Sequence, residues 1–199
     1  MEELAKKVRP GEEYIIREAR VEDIPSVMLV NMRSLPENYW YGFFLAILNE
    51  WNDLFLVVEH KGEIVGYSMS RIEHTVDPVL GGVYNEIENK PLGLYDKLKL
   101  KLLEKPFRVA HLISIAVLEE HRGRGLGSRL LARTIRVARD RYHADSIYLE
   151  VRVSNAKAIK LYEKFGFRKA RIIREYYRDG EDAFVMVLRL KENGEGQAS

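Results

Sequence analysis

A glycine-rich turn that carries two arginines is the clearest chemical feature of this sequence. Residues 121–127 read His-Arg-Gly-Arg-Gly-Leu-Gly and lie between an apolar segment, His111–Val117, and a segment of helical apolar spacing that begins at Leu126. The first N–H groups of a helix have no partner within the helix and lie at the positive end of its dipole, so they can bind an anion. Glycine lets a phosphate approach the backbone, and arginine adds a fixed positive charge. The turn therefore predicts an anion site, and a tight strand-to-helix turn without a ligand is the alternative.

Two familiar nucleotide-binding motifs do not fit this turn. It contains no G-x-G-x-x-G, which is typical of dinucleotide-binding domains, and no G-K-[ST], which is typical of a P-loop. The anion is therefore not predicted to belong to either class of nucleotide site.

The composition limits the chemistry that the chain can perform. With 199 residues, 46% apolar and 31% charged, it is predicted to form one globular domain. The absence of cysteine excludes a disulfide scaffold, a thiolate zinc site and a cysteine-acyl intermediate. A net charge of +2 is too small to indicate nucleic acid, and no 18-residue apolar run or signal-peptide core is present. We therefore expect a cytoplasmic protein without a membrane span.

The elements that position the turn follow from the apolar periodicity and the turn residues. Strands are predicted at residues 14–19, 54–59, 64–72, 111–117, 146–153, 167–175 and 183–190. Helices are predicted after an N-cap at Asp23, at 39–51, from the glycine turn to about 142, and at 155–165. The strand, turn, helix and strand around the glycines require a parallel pair, whereas the hairpins are antiparallel. The expected fold is α/β, with a mixed, mostly antiparallel sheet flanked by helices.

The domain boundaries are expectations of the same kind. Residues 1–13 form a polar N-terminal extension, 14–190 the domain and 191–199 a flexible tail. Residues 74–108 are long for a connection between two strands. This insertion either covers a sheet edge or supports a dimer, or it acts as a lid over the site. The oligomeric state stays open.

Two motifs together resemble those of the GNAT superfamily of N-acetyltransferases. Arg122-x-x-Gly125-x-Gly127 resembles the acetyl-CoA pyrophosphate loop, and residues 155–167 resemble the signature N-x-x-A-x-x-L-Y-x-x-x-G-F. The predicted element order over about 14–190 is also that of the superfamily. The resemblance implies acetyl-CoA as cosubstrate and places the parallel strand pair at its site.

Three further segments resemble the archaeal catalytic subunits of NatA-type protein N-terminal acetyltransferases. They are residues 35–39 (LPENY), 149–155 (LEVRVSN) and 176–184 (YYRDGEDAF), the last with Phe184 where that group has tyrosine. Without the resemblance, Leu35–Tyr39 would be a break between two helices, and Tyr176 and Tyr177 a packed aromatic pair. With it, protein N-termini are the implied substrates. The implied substrate-binding residues are Leu35, Pro36, Glu37, Tyr39, Arg152, Tyr176 and Tyr177.

The resemblance also implies the residues that bind acetyl-CoA. The strand at Ile115, Ala116 and Val117 pairs with the pantetheine arm, and a backbone N–H near Val117 stabilises the oxyanion. Asn155 bonds the pantetheine, and Tyr162 protonates the leaving thiolate. The pyrophosphate is bound by Arg122, Gly123, Arg124, Gly125, Leu126, Gly127 and Ser128.

The group that accepts the proton of the substrate amine is left open among three residues. An α-amino group has a pKa near ~7.7–8.0, so a modest base or a water chain suffices. The candidates are Glu37, His111 and Glu150, and strand alternation allows His111 and Glu150 to approach each other. Without cysteine, transfer is expected to be direct, in a ternary complex. No metal site is predicted, because two ligands without a third are weak evidence for one.

The remaining histidines and arginines suggest no second site. The other histidines adjoin charged or turn residues and are interpreted as surface residues: His60, His74, His121 and His143. A helical stripe of arginines is interpreted as a solvated face, with an electrostatic contact to ribosomal RNA as the alternative: Arg129, Arg133, Arg136 and Arg139. The alternative functions are a ribosomal-protein-specific or lysine acetyltransferase, and a non-catalytic CoA-binding or ribosome-docking module. Neither a membrane nor sequence-specific nucleic acid is an expected partner.

Overall fold

A computed structural model describes residues 13–77, 79–81 and 106–191 of the chain. Within those ranges the strands are β1 (Ile15–Glu18), β2 (Phe55–His60), β3 (Glu63–Thr75), β4 (Phe107–Val117), β5 (Ser146–Arg152), β6 (Arg168–Ile173) and β7 (Ala183–Arg189). The α-helices are α1 (Ile24–Ser34), α2 (Tyr41–Glu50), α3 (Leu126–Asp140) and α4 (Ala156–Lys164). Their order agrees with the predicted order of elements.

The strands form one mixed sheet in the order β1-β2-β3-β4-β5-β7-β6. The pairs β1–β2, β2–β3, β5–β7 and β6–β7 are antiparallel. The pair β4–β5 is parallel and covers three residue pairs, of which His111 and Tyr148 are the last. The predicted mixed sheet with one parallel pair is therefore confirmed.

The predicted N-cap of α1 is wrong in its chemistry, although its position is right. Asp23 is the residue before Ile24, but its carboxylate makes no capping hydrogen bond to α1. Both oxygens instead accept from the Arg17 guanidinium, at 2.6 and 2.9 Å. The Arg20 backbone N–H also donates to this carboxylate, at 2.8 Å. A charged partner from β1 forms stronger hydrogen bonds than a neutral backbone N–H does.

By compactness the chain divides into two units, each of which is described by itself. The first contains the described residues up to Arg71 together with Leu112–Arg141. Its core combines aromatic residues of α2, β2 and β3, namely Phe44, Phe55 and Tyr67, with leucines of α3. α3 is amphipathic, and its buried face comprises Leu126, Leu130, Leu131, Thr134, Ile135 and Ala138. Burying each large apolar side chain contributes about 1.5–3 kcal/mol, so this periodicity positions α3 on the sheet.

The arginine stripe of α3 is only partly a solvated face. Arg129 donates to the backbone carbonyl oxygen of Tyr14 at 3.4 Å. Arg133 donates to that of Ile16 at 2.8 Å. Arg136 and Arg139 are exposed. The first half of the stripe therefore binds the backbone of the N-terminal strand segment, because an edge strand presents carbonyl oxygens that lack a strand partner.

The second unit contains the described residues of Ile72–His111 and of Tyr142–Ser199. Its buried cluster comprises Val109, Tyr148, Val185 and Val187, with Phe107 and Ile173 packed against it. Val185 and Val187 are two residues apart in β7, so they share one face of the strand and both contribute to this core.

Part of the predicted organisation lies outside the described residues. Most of the insertion at 74–108, namely 82–105, falls there, as do 1–12 and 192–199 of the two predicted terminal segments. The domain boundaries and the role of the insertion therefore stay predictions. In the ranges that the structure describes, none of the helices has the length and apolar character needed to span a membrane.

Candidate active site

The glycine-rich turn leads from β4 into the first turn of α3. Gly123 and Gly125 have φ values of 77° and 75°, in the left-handed region that favours glycine, and Gly125 is the N-cap residue of α3. The Arg122 side chain is exposed, and its Nε donates to the Val117 carbonyl oxygen at 2.9 Å. Arg124 donates to the Glu120 carbonyl oxygen at 2.7 Å. Two guanidinium groups beside the amino end of a 15-residue helix suit a pyrophosphate.

The strand before this turn lies very close to β3. A Cβ atom built on Gly66 would lie 3.0 Å from the Ala116 carbonyl oxygen and 3.1 Å from Val117 Cγ2. A larger residue at this position of β3 would therefore force the neighbouring strand to shift by a few tenths of an ångström. Ala116 itself is buried, whereas Ile115 and Val117 are partly exposed. From His111 to Val117, every second side chain of β4 is thus partly accessible to solvent.

The predicted substrate loop at residues 35–39 is held by a buried amide. Asn31, in α1, donates through Nδ2 to the Glu37 carbonyl oxygen at 3.0 Å and to the Tyr67 hydroxyl oxygen at 2.9 Å. The Tyr67 hydroxyl also bonds the Ser114 hydroxyl, at 2.7 Å. Burial raises the pKa of Tyr67 well above its usual range, so this phenol stays neutral. Tyr39 stacks on Phe43 with ring centroids 4.9 Å apart.

In the second unit the structure brings His111 and Glu150 together, as predicted. His111 Nε2 lies 2.8 Å from Glu150 Oε2. A residue that sequence reasoning missed, Glu73 of β3, places Oε1 3.2 Å from His111 Nδ1. The Tyr148 ring stacks on the imidazole at 4.4 Å, and its hydroxyl donates to Glu73 Oε2 at 2.6 Å. The imidazole is therefore enclosed by two carboxylates and one aromatic ring.

Opposing effects act on the pKa of His111. Desolvation lowers it, but the hydrogen bonds and the negative charges of Glu150 and Glu73 together outweigh desolvation. The pKa of His111 is therefore raised above its usual value, and the cluster retains a proton to higher pH than an isolated histidine.

Arg152 links the end of β5 to the loop between β6 and β7. Its Nη1 donates to Asp179 and to Glu181, both at 2.7 Å, and its guanidinium lies 4.0 Å from the ring centroid of Tyr177. Tyr176, half exposed, makes an edge contact with Tyr177 at 5.0 Å. Arg152, which was itself expected to bind substrate, thus contacts Tyr177, and Tyr177 contacts Tyr176.

Asn155 is the N-cap residue of helix α4, and Tyr162 lies two turns further along that helix. The Asn155 amide oxygen accepts from the Ala158 backbone N–H at 3.1 Å, so this residue caps the helix. Tyr162 is 6% exposed, and its ring packs near Phe167 with centroids 5.7 Å apart. Burial raises the pKa of Tyr162 well above its usual range, so the phenol keeps its proton at neutral pH.

Two of the four histidines interpreted as surface residues are not simple surface residues. The His60 ring stacks on Tyr14 at 4.3 Å, and His121 Nδ1 lies 3.0 Å from the Tyr14 hydroxyl oxygen. Both are half-buried because Tyr14, just before β1, lies against them. His74 and His143 are exposed, as expected. Among the described residues, no group of three or more potential ligands has the arrangement of a metal site.

An open cavity of about 720 Å³ lies in the first unit and does not include the signature residues. Its lining includes Arg17, Arg20 and Arg133. Arg17 is ion-paired with Asp23 and with Glu59, which offsets much of this positive charge. The cavity therefore adds little support for a nucleic-acid site.

A comparison with known families agrees with the geometry of the turn and of α4. The model of the acetyltransferase (GNAT) family matches residues 20–167. The chain therefore belongs to the GNAT acetyltransferase family, and it uses acetyl-CoA as its acetyl donor.

The relatives define the branch of the family. The chain is 41% identical to the N-alpha-acetyltransferase of Sulfurisphaera tokodaii, over 92% of this chain and 98% of that protein. It is 32% identical to the N-terminal acetyltransferase A complex catalytic subunit NAA10 of Arabidopsis thaliana, over 88% of this chain and 78% of that one. The crystal structure of Ard1 from Thermoplasma volcanium matches with a TM-score of 0.67 and 26% identity, over 90% of this chain and 99% of that chain. The resemblance to archaeal NatA-type enzymes is confirmed.

Proposed function

We propose that this protein transfers the acetyl group of acetyl-CoA to the α-amino groups of protein N-termini. The observation that carries the proposal is the match, over nearly the whole chain, to archaeal proteins named N-alpha-acetyltransferase. The ordered loop at residues 35–39 and the tyrosine pair at 176–177 supply surfaces for a peptide in the respective units. Acetyl-CoA supplies the activated thioester carbonyl.

In this proposal the first unit binds the anionic part of the acetyl donor. The pyrophosphate accepts hydrogen bonds from the backbone of residues 123–128 and from Arg122 and Arg124. The exposed guanidinium of Arg122 and the left-handed glycines support this role. The backbone of Ile115–Val117 pairs with the pantetheine arm, and the pantetheine contact that the resemblance implies for Asn155 stays a prediction. A Val117 N–H stabilises the oxyanion.

Proton transfer in this proposal involves two kinds of group. The α-ammonium first gives a proton to a basic group, and the free amine nitrogen attacks the thioester carbonyl carbon. As the carbon–sulfur bond breaks, Tyr162 gives its proton to the leaving sulfur. The attacking nitrogen gives its second proton to solvent, which leaves the neutral amide, and solvent returns a proton to the phenolate. Glu37, His111 and Glu150 stay the candidates for the base, and the contact between His111 and Glu150 favours that pair.

In the first unit, the residues proposed to contact the substrate peptide are Leu35, Pro36, Glu37 and Tyr39. In the second unit they are Tyr176 and Tyr177, with Arg152 holding Tyr177 in place. Phenol groups suit hydrogen bonds to a peptide backbone. The expected cytoplasmic location and a contact with the ribosome stay predictions of the same proposal.

The decisive experiment is an acetylation assay with purified protein, acetyl-CoA and peptides that begin with Ser, Ala, Met or Glu. Each peptide is paired with an N-blocked copy that contains lysine. We expect turnover only on free N-termini. Turnover on the blocked copies would identify a lysine acetyltransferase, and acceptance of a single sequence would identify a narrow ribosomal-protein enzyme. CoA binding without any turnover would identify a binding module.

Two variants test the assigned chemistry with the fold intact. Glu37→Ala and Tyr162→Phe are each expected to lower kcat, the latter by about 10²-fold or more, as for the loss of a general acid. Glu163→Gln, on the exposed face of α4, is the matched control for the second variant. Unchanged rates in both test variants, with unchanged circular dichroism, would contradict the mechanism.

A further inference from the structure

The imidazole of His111 contacts a carboxylate at each of its two ring nitrogens. Glu150 Oε2 lies 2.8 Å from Nε2, and Glu73 Oε1 lies 3.2 Å from Nδ1. A neutral imidazole has one N–H donor and one lone pair, so it can satisfy only one ionised carboxylate. The arrangement therefore favours a ring with both nitrogens protonated, or a proton shared within the cluster.

Glu73 is itself oriented by a second group. Tyr148 donates its phenol hydrogen to Glu73 Oε2 at 2.6 Å, and the same phenol ring stacks on His111 at 4.4 Å. Side-chain exposures of 25% for Glu73, 14% for His111 and 15% for Glu150 leave the cluster shielded yet accessible to solvent. Electrostatic interactions in such a setting are stronger than on an open surface.

We propose that Glu73 is a positioning residue that directs His111 Nε2 toward Glu150 and tunes the basicity of the pair. This proposal rests on the proposed acetyl transfer and assigns the proton acceptor to the His111–Glu150 pair. Glu73 acts through His111: its carboxylate orients the ring through Nδ1, and its negative charge holds a proton on the cluster. In metal-free acid–base sites this is the usual function of a carboxylate behind a histidine.

The direction of the pH effect follows from the charges that face His111. Among the described residues these are Glu73 from β3, and Glu150 and the Tyr148 phenol from β5. Because His111 lies against both carboxylates, the acidic limb of the kcat profile reports the apparent pKa of the cluster around His111, not that of an isolated histidine. Replacing Glu73 with glutamine removes one negative charge, and the cluster then loses its proton at lower pH. The limb moves to lower pH, and the maximal kcat falls because the base is weaker.

The experiment compares Glu73→Gln with wild type by kcat at saturating peptide from pH 5.5 to 9.5. We expect the ratio of kcat at pH 6 to kcat at pH 9 to rise about threefold to tenfold, as expected for the loss of a neighbouring charge. Glu63→Gln, at the exposed start of the same strand, is the matched control and is expected to leave the profile unchanged. Glu73→Asp retains the charge and is expected to give a smaller shift.

A second measurement does not depend on activity. Titration of the His111 ring followed by NMR in wild type and Glu73→Gln is expected to give a lower apparent pKa in the variant. If Glu73→Gln does not fold, the same titration on Glu73→Asp decides. The shorter aspartate side chain leaves its carboxylate further from Nδ1, which weakens the contact and lowers the pKa of His111. If wild type and Glu73→Gln have the same His111 titration and the same shape of kcat profile, the proposed role of Glu73 is overturned. Turnover by the wild type would in that case leave the proposed function intact. Absence of wild-type turnover would contradict the proposed function, and the NMR titration would still decide the effect of Glu73 on His111.

Discussion

Two polar networks position signature residues in this protein, and they differ in charge. In the first unit, Asn31, Tyr67 and Ser114 form a neutral chain, each 7% exposed or less. In the second, Glu73, His111 and Glu150 form an ionisable cluster with side-chain exposures of 14–25%. The neutral chain fixes the backbone at Glu37, whereas the ionisable cluster holds a proton.

This difference in charge suits the neutral network to structural support and the ionisable cluster to proton transfer. A neutral buried network keeps the same hydrogen bonds across the physiological pH range, because none of its groups titrates there. An ionisable cluster responds to pH and can exchange a proton with a substrate. Disrupting the neutral network is therefore expected to have an effect that does not vary with pH, whereas the effect of disrupting the ionisable cluster is expected to vary with pH.

Disrupting the neutral network is expected to have the largest effect. Asn31→Leu leaves the Glu37 carbonyl and the Tyr67 hydroxyl without their shared donor, which is expected to lower the free energy of unfolding by about 2–4 kcal/mol. The loss should be the same at pH 6 and pH 9 in urea unfolding. Asn49→Leu, exposed on α2, is the control and is expected to change stability by less than about 0.5 kcal/mol. If the stability lost in Asn31→Leu varied with pH, the distinction between the neutral network and the ionisable cluster would be wrong.

Disrupting the ionisable cluster is expected to have a smaller effect that depends on pH. His111 has a folded-state pKa raised above the unfolded value near ~6.5, so its contribution to stability is full below that pH and is lost as the pH rises through the folded pKa. His111→Gln is expected to cost about 1–2 kcal/mol near pH 6, the size of a hydrogen bond to a charged group, and less at pH 9. Urea unfolding at both values measures it. A cost that increased with pH would contradict the assigned protonation of the cluster.

The smallest effect is expected at the Arg152 cluster, which is charged but more exposed at Asp179. Arg152→Lys retains the charge and loses the planar group that contacts two carboxylates and the Tyr177 ring. We expect a loss of about 0.2–1 kcal/mol that becomes smaller in 1 M salt, together with a raised KM for peptide. Arg168→Lys, at the exposed start of β6, is the control. If the loss of stability did not change with salt, the Arg152 cluster would behave like the neutral network, which would contradict this prediction.

The comparison also separates what could be predicted from the sequence from what could not. A turn that needs glycine and a helix that is amphipathic both follow from neighbouring residues. The turn at 123–127 and the helix that begins at Leu126 were therefore predictable. Glu73 was missed because β3 extends to Thr75, whereas the apolar pattern ends at Ile72. Asn31 was missed because an amide on a helix carries no periodic signal that distinguishes a buried hydrogen-bonding role from an exposed one.

The misassigned side chains have a common physical cause. Asp23, Arg129 and His60 looked like a cap, a solvated face and a surface residue, and each has a partner outside its own helix or strand. Local preference is weaker than a charged or stacked partner that the fold brings within contact.

The sequence by itself determined the order of strands and helices, the glycine turn at the start of α3 and the motifs that identify the family, because each depends on neighbouring residues or on a short period. The tertiary structure decided which polar side chains meet. The parallel register that places His111 opposite Tyr148 brings Glu150 to the imidazole, and a shift of one residue would present the opposite face of β5. Strand register and the approach of β3 are long-range properties, so the cluster of Glu73, His111 and Glu150 exists only in the folded chain.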